Sequence, residues 1–360
     1  MKFVVDLSKG ILGKPDNPEL WKSILTNRAI RRACARTSRI LITGAGHGTE
    51  VDVLVELHGR DIVKKIYFND IFICFTNTIK ARYPEINILP GDFLELGTDM
   101  KFGVVLGNPP FQKADKSGRD DDNLWPLFLE KAHELVEEDG YIGFVTPSSW
   151  ASLGANHRNP GSKIRKKFFD TRQVEYVDFT CGRYFDVGST FSSYIVKNTA
   201  PTQPTQFVFT DKTVTAPFSD YVCVPLRYSN SEFGDIIRDF RARTPYAITI
   251  NDPYHTARAS MKNKLANGEF SDVQTADHPY RAYHTNAQTH RWSKYKNDFH
   301  NQWKAVFSYS GTWAVEVTND CSLTDASMCV LCATEQEALS VQSVLASEPV
   351  TFLIDKVYRW

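Results

Sequence analysis

Residues 108–111 read Asn-Pro-Pro-Phe and follow the apolar run FGVVLG. Pro109 and Pro110 fix the backbone and donate no hydrogen bond, which leaves their carbonyls free to accept. An aromatic amine is a poor nucleophile because its lone pair is delocalised into the ring. If the Asn108 side-chain oxygen and the Pro109 carbonyl each take one amine hydrogen, the nitrogen is held pyramidal and its lone pair points at an incoming electrophile. Phe111 adds a flat face on which a planar ring can stack. Alone, the same four residues also read as a rigid turn closing a buried strand.

What precedes them favours the chemical reading. In ITGAGHGTE, Gly44, Ala45, Gly46 and Gly48 follow an apolar run, and the glycines let the backbone turn tightly against a ligand. Asp70 ends the next run, IYFND, where a carboxylate can accept from both hydroxyls of a ribose; a helix N-cap is the other reading. In GDF, Asp92 can accept from an adenine amine while Phe93 covers the ring. NAD and S-adenosylmethionine both carry a ribose and an adenine, so these positions leave the two open, but NPPF has no role in a dehydrogenase.

The elements that must position these residues alternate along the chain. RILITG, KIYFND, INILPGDF, FGVVLGNPP and GYIGFVTPSSW read as strands, with helices near 48–59, 71–82 and 124–138. Short apolar runs separated by helical stretches predict an α/β domain with a doubly wound, Rossmann-like parallel sheet, whose ligands bind beyond the carboxyl ends of the strands. After about residue 198 the polar NTAPTQPTQ reads as a connector. The predicted division is a catalytic domain over 1–198 and an α+β domain over 199–360. From 241 to 310 the chain carries ten Lys/Arg against five Asp/Glu, interleaved with aromatics as in THRWSKYKNDFHNQWK, which suits phosphates and stacked bases or a plain solvated surface.

Across 360 residues the 42 basic and 42 acidic side chains cancel, so any pull on nucleic acid comes from local patches. No apolar window is long enough to span a membrane, and MKFVVDLSKG lacks a secretory signal, which predicts a cytoplasmic protein with no membrane partner. Seven scattered cysteines predict reduced thiols. Cys329 and Cys332 form a lone CxxC inside the strand-like SMCVLC, and no metal is expected.

In this order, the glycine loop, Asp70, GDF and NPPF resemble the adenine N6-specific DNA methyltransferases of the gamma arrangement, most closely the methylase parts of type IIG restriction-modification enzymes. The resemblance covers roughly residues 20–198 and extends loosely through WKAVFSYSG and SVLASEP. It implies an S-adenosylmethionine-dependent methyltransferase domain followed by a target-recognition domain, acting on an adenine flipped out of double-stranded DNA in a bacterial or phage-infected cell. It implies catalysis by Asn108, Pro109, Pro110 and Phe111, and cofactor binding by Gly44, Ala45, Gly46, Asp70, Asp92 and Phe93. It places Thr26, in ILTNRAI, at the methionine carboxylate, although the family commonly has Pro after it and this chain has Asn27. Phe185 is implied to pack on the flipped base from the side opposite Phe111, and core packing is its other reading. Family members usually carry an acidic residue where this chain has Ile42. With no space for a cleavage domain before the catalytic core, any partner nuclease is expected to be a separate chain.

Relatives with this tetrapeptide also methylate guanine in RNA or a protein glutamine, and a catalytically silent DNA-specificity subunit would keep the same fold. The long segment after the core favours DNA, and the intact NPPF favours chemistry.

Overall fold

The structure is a computed structural model that describes residues 17–97, 99–111, 123–151, 160–185, 190–221, 224–225, 267–283, 290–296, 299–308, 313–323, 327–352 and 354. The chain forms two compact units, 1–229 and 230–359.

In the first unit, helices α1 (Pro18–Leu25) and α2 (Arg28–Arg36) lead into β1 (Ile40–Thr43), whose four residues are all buried, as a central parallel strand requires. There follow α3 (Thr49–His58), β2 (Ile66–Asp70), α4 (Ile73–Arg82), β3 (Asn87–Pro90), β4 (Phe102–Gly107), α5 (Trp125–Leu135), β5 (Val136–Pro147), α6 (Pro160–Ile164), β6 (Gln173–Asp178) and β7 (Phe191–Lys197). Two further strands, β8 (Thr205–Val208) and β9 (Thr213–Ala216), complete one nine-stranded sheet of order β3-β2-β1-β4-β5-β7-β6-β8-β9. Adjacent strands from β3 through β5 are parallel, whereas β7 runs antiparallel to both β5 and β6.

Side chains alternate between the two faces of a strand. Accordingly Ile40, Ile42, Val104 and Leu106 join one core with α1 to α4, while Leu41 and Val105 join a second with α5 and α6; Phe102 reaches the second out of alternation, across the irregularity that separates it from Val104. The sheet is doubly wound, as the sequence predicts. Ile42 is a fully buried member of the first core.

Two expectations are revised. The helix predicted over 124–138 ends at Leu135: Val136 already pairs with Phe102, and Asp139 takes a left-handed backbone (φ 61°) that no helix continues. The expected boundary at 198/199 falls inside the large sheet, because β8 pairs with β6 and carries β9 along its edge.

The second unit holds two small sheets. β10 (Phe270–Ser271), β12 (His290–Ser293), β11 (Tyr280–Tyr283) and β15 (Ser322–Leu323) form one, in that order. β14 (Val315–Thr318), β13 (Lys304–Ser308) and β16 (Ser327–Leu331) form the other, beside α7 (Glu335–Leu345). Cys321 and Cys329 are buried with Tyr283, Val306 and Leu323 in a core to which both sheets contribute. Among the described residues, no group of three or more His, Cys, Asp and Glu is arranged to hold a metal, and no helix is long and apolar enough to cross a membrane.

Candidate active site at the carboxyl edge of the sheet

The register lines up the strand ends. Thr43 is opposite Asn69 on one side and Gly107 on the other, Asn69 is opposite Leu89, and Gly107 is opposite Phe144. Neighbouring strands lie about 4.8 Å apart, so the loops leaving β1, β2, β3 and β4 share one edge.

The glycine loop sits at its centre. Gly44, Gly46 and Gly48 all have positive φ (57°, 50° and 80°), which side chains adopt at a cost. A Cβ on Gly44 would stand 3.5 Å from the main-chain oxygen of Asn108, and one on Gly48 would stand 2.6 Å from Ile79 Cδ1. Bare backbone therefore faces the start of the Asn-Pro-Pro-Phe turn. Ala45 is fully buried in the first core.

Asp70 is buried and accepts twice from backbone: Gly46 N–H donates to Oδ2 and Phe72 N–H to Oδ1, both at 2.9 Å. It does not cap α4, whose N-cap is Phe72. Each carboxylate oxygen retains an acceptor site beyond these bonds. Ile71, the next residue, is 44% exposed, an apolar surface beside the carboxylate. Asp92 Oδ1 accepts from Leu94 N–H and caps a short 3-10 turn. Phe93 is buried in the second core with its ring stacked on Phe128 at 5.1 Å, so one of its faces is already covered.

Asn108 is buried, and its side-chain Oδ1 has no hydrogen-bond partner among the described residues. Burying an acceptor unpaired costs about 1–3 kcal/mol, so native structures rarely keep one without a use. Pro109 is buried, Pro110 half-buried, and the Phe111 carbonyl accepts from Leu124 N–H, fixing the exit of the turn at the entrance of α5. The polar segment between them, 112–122, lies outside the described residues.

Phe111 belongs to an aromatic group. It is 6.1 Å from Phe185 at 55° and 4.8 Å from Phe191 at 44°, and Phe185 stacks on Phe191 at 4.2 Å and 11°. The reversed direction of β7 explains the meeting: Phe191 opens β7 opposite Pro147, the last residue of β5, on the edge where β4 gives way to Asn108.

Thr26 is not joined to this group. It is exposed at the C-terminal cap of α1, and its hydroxyl donates to the Lys22 carbonyl, with no hydrogen bond to the glycine loop among the described residues. Besides Ile71, two residues of the site escape the sequence reading. Asn69 donates to the Leu89 and Gly91 carbonyls and accepts from Thr43 Oγ1, tying three strand ends together. Its signal is the paired polar ending Asn69-Asp70: neighbouring side chains on a strand point to opposite faces, so one of the two has to be satisfied inside. Phe191 gives no signal beyond an apolar residue at the start of a buried strand.

Part of this site lies in a segment that resembles known proteins. Residues 55–185 match the Eco57I restriction-modification methylase family. That span holds Asp70, Asp92, Asn108 to Phe111 and Phe185. An uncharacterized adenine-specific methylase of Mycoplasma pneumoniae is 27% identical over 103 residues, 22% of this chain and 24% of that protein. The type II restriction enzyme and methyltransferase RM.Eco57I of Escherichia coli is 23% identical over 119 residues, 28% of this chain and 11% of that protein. The chain thus spans only a minor part of the length of either relative. Among solved structures, the M protein of the type I restriction enzyme EcoKI aligns with a TM-score of 0.40 at 14% identity, over 54% of this chain and 47% of that one.

In the second unit, the basic region is less available than its composition suggests. Arg281 is ion-paired with Glu316 and Asp320, and Arg291 with Asp272. Lys304 is fully buried and donates to the Phe299 and Gln302 carbonyls, with burial lowering its pKa. Lys294 and Lys296 are exposed on either side of Tyr295, itself 65% exposed, and the Lys296 ammonium lies over the Tyr280 ring. Residues 226–266 lie outside the described residues.

Proposed function

We propose that this chain is a DNA methyltransferase that uses S-adenosylmethionine to methylate N6 of an adenine extruded from double-stranded DNA. The observation that carries the reading is the buried, unpartnered Oδ1 of Asn108, set beside the bare backbone of Gly44. An acceptor kept dry and unpaired is matched to a ligand N–H. The name of the Mycoplasma pneumoniae relative, an adenine-specific methylase, agrees with an exocyclic amine as the donor.

The residues present fit the cofactor. Asp70 keeps acceptor capacity for the ribose hydroxyls, Ile71 offers an apolar face to a purine, and the positive-φ glycines admit the chain between them. When bound, S-adenosylmethionine supplies an electrophilic methyl group. Asn108 Oδ1 and the Pro109 carbonyl each accept one hydrogen of the adenine amine, holding the nitrogen pyramidal. The prolines keep that carbonyl fixed, so the acceptors need no reorganisation as charge develops. Phe111 stacks on the base, offsetting part of the stacking lost when it leaves the duplex. Asp92 would accept from the cofactor adenine through the oxygen that does not cap Leu94.

Double-stranded DNA is the macromolecular partner in this reading. Sequencing DNA from cells expressing the protein, with detection of methylated bases, tests the reading. N6-methyladenine at a recurring short sequence is expected; unmodified DNA, with methyl transfer to RNA or protein instead, would overturn it.

A further inference from the structure

Resting on that reading, we propose that Phe191 is a positioning residue that fixes the ring of Phe185 for stacking on the target base and releases Phe111 when the base enters. Phe191 is 3% exposed and held in the sheet by its pairing with Pro147, so among the three rings it is the one anchored in regular structure. Phe185 follows a single 3-10 turn, Cys181–Tyr184, and is only half-buried. Its ring plane is set by the nearly parallel stack on Phe191 at 4.2 Å and 11°.

The distances also require movement. A base between two parallel rings needs about 7 Å between their centroids, twice a carbon contact of roughly 3.5 Å. Phe111 and Phe185 stand 6.1 Å apart at 55°. Phe185 is backed by an immobile ring, whereas Phe111 leans on Phe191 by a tilted contact at 4.8 Å and 44°, the poorer of the two stacks. The base therefore enters by turning Phe111 off Phe191, while Phe185 stays in place.

The test uses the full chain and a duplex carrying its methylated sequence, with 2-aminopurine at the target position to report extrusion by fluorescence. Phe191→Leu removes the ring and keeps the apolar volume, and Phe191→Tyr keeps the ring. Phe191→Leu is expected to bind S-adenosylmethionine as wild type does, and to lose extrusion and kcat by about tenfold, the scale of one base–aromatic stack. Phe191→Tyr is expected to restore both. In a Phe185→Leu background, Phe191→Leu should add nothing further, because the ring it serves is gone. Wild-type extrusion by Phe191→Leu, failure of Phe191→Tyr to restore it, or additive losses in the double variant would overturn the inference. A wild-type chain that methylates no adenine overturns the functional reading itself, a separate outcome.

Discussion

The carboxylate of Asp70 accepts the backbone N–H of Gly46 at 2.9 Å, so the end of β2 braces the loop that leaves β1. In the proposed function this side chain has two duties, shaping the glycine loop and meeting the ribose. Asp70→Ala is therefore expected to weaken S-adenosylmethionine binding by about a hundredfold, since hydrogen bonds to a charged group contribute roughly 1.5–3 kcal/mol each. Titration calorimetry checks this, and an unchanged dissociation constant would remove the residue from the cofactor site.

Asn108→Ala deletes the acceptor while leaving the glycine loop and Asp70 untouched. Methyl transfer should fall by several orders of magnitude with cofactor affinity retained. Since the deleted oxygen is buried and unpaired, thermal stability should hold or rise, a pattern of function kept at the expense of stability. An active variant, or one that loses cofactor and activity together, would contradict the assignment.

Gly48→Ala should destabilise the fold by about 1–3 kcal/mol, combining left-handed strain with a steric clash. The clash is with Ile79 Cδ1, at the far end of a flexible side chain. Ile79→Val removes that atom, so in its background the alanine should cost less. Denaturant titrations of the four proteins measure the coupling, and strict additivity would assign the whole cost to the backbone.

The strand ends could be read because their markers are local. A run of apolar residues that stops at Asp70, at Asp92 or at Asn108 announces both the strand and the polar residue just beyond it. The additions after residue 198 could not, since β8 and β9 owe their place to pairing with β6 and not to any helix-strand rhythm. Nor could the partners of the basic residues: a count of ten cations does not reveal that Lys304 is buried against carbonyls or that Arg281 and Arg291 are paired. Thr26 was placed by resemblance, and its hydroxyl turns back into its own helix.

His133 supplies a pH signature. Its ring stacks on Phe168 at 4.2 Å, both ring nitrogens are buried without partners among the described residues, and burial lowers its pKa to about 3. The unfolded chain takes up this proton first, near pH 6.5, so stability is full above that pH and is lost as pH falls toward 3. At pH 5 the loss should be about 1–2 kcal/mol, on the scale of 1.36 kcal/mol per pKa unit. Urea midpoints at pH 7.5 and pH 5, compared between wild type and His133→Phe, test this; an equal slope in both would acquit His133.

Lys294 and Lys296 are the exposed cations of the described basic region. If they meet phosphates, replacing both with alanine should reduce the slope of log affinity against log salt by about 1–2, at roughly 0.9 per contact. DNA binding measured over a salt series decides, and an unaltered slope would move the DNA surface elsewhere.

The return direction of β7 makes the aromatic rim exchangeable. Seven residue pairs, from Tyr141↔Lys197 to Pro147↔Phe191, lock β7 onto β5, and the Phe191 ring at their end carries Phe185 stacked upon it. A differently shaped side chain at position 185 would therefore recut that rim, while the turn after β4 is left as it stands.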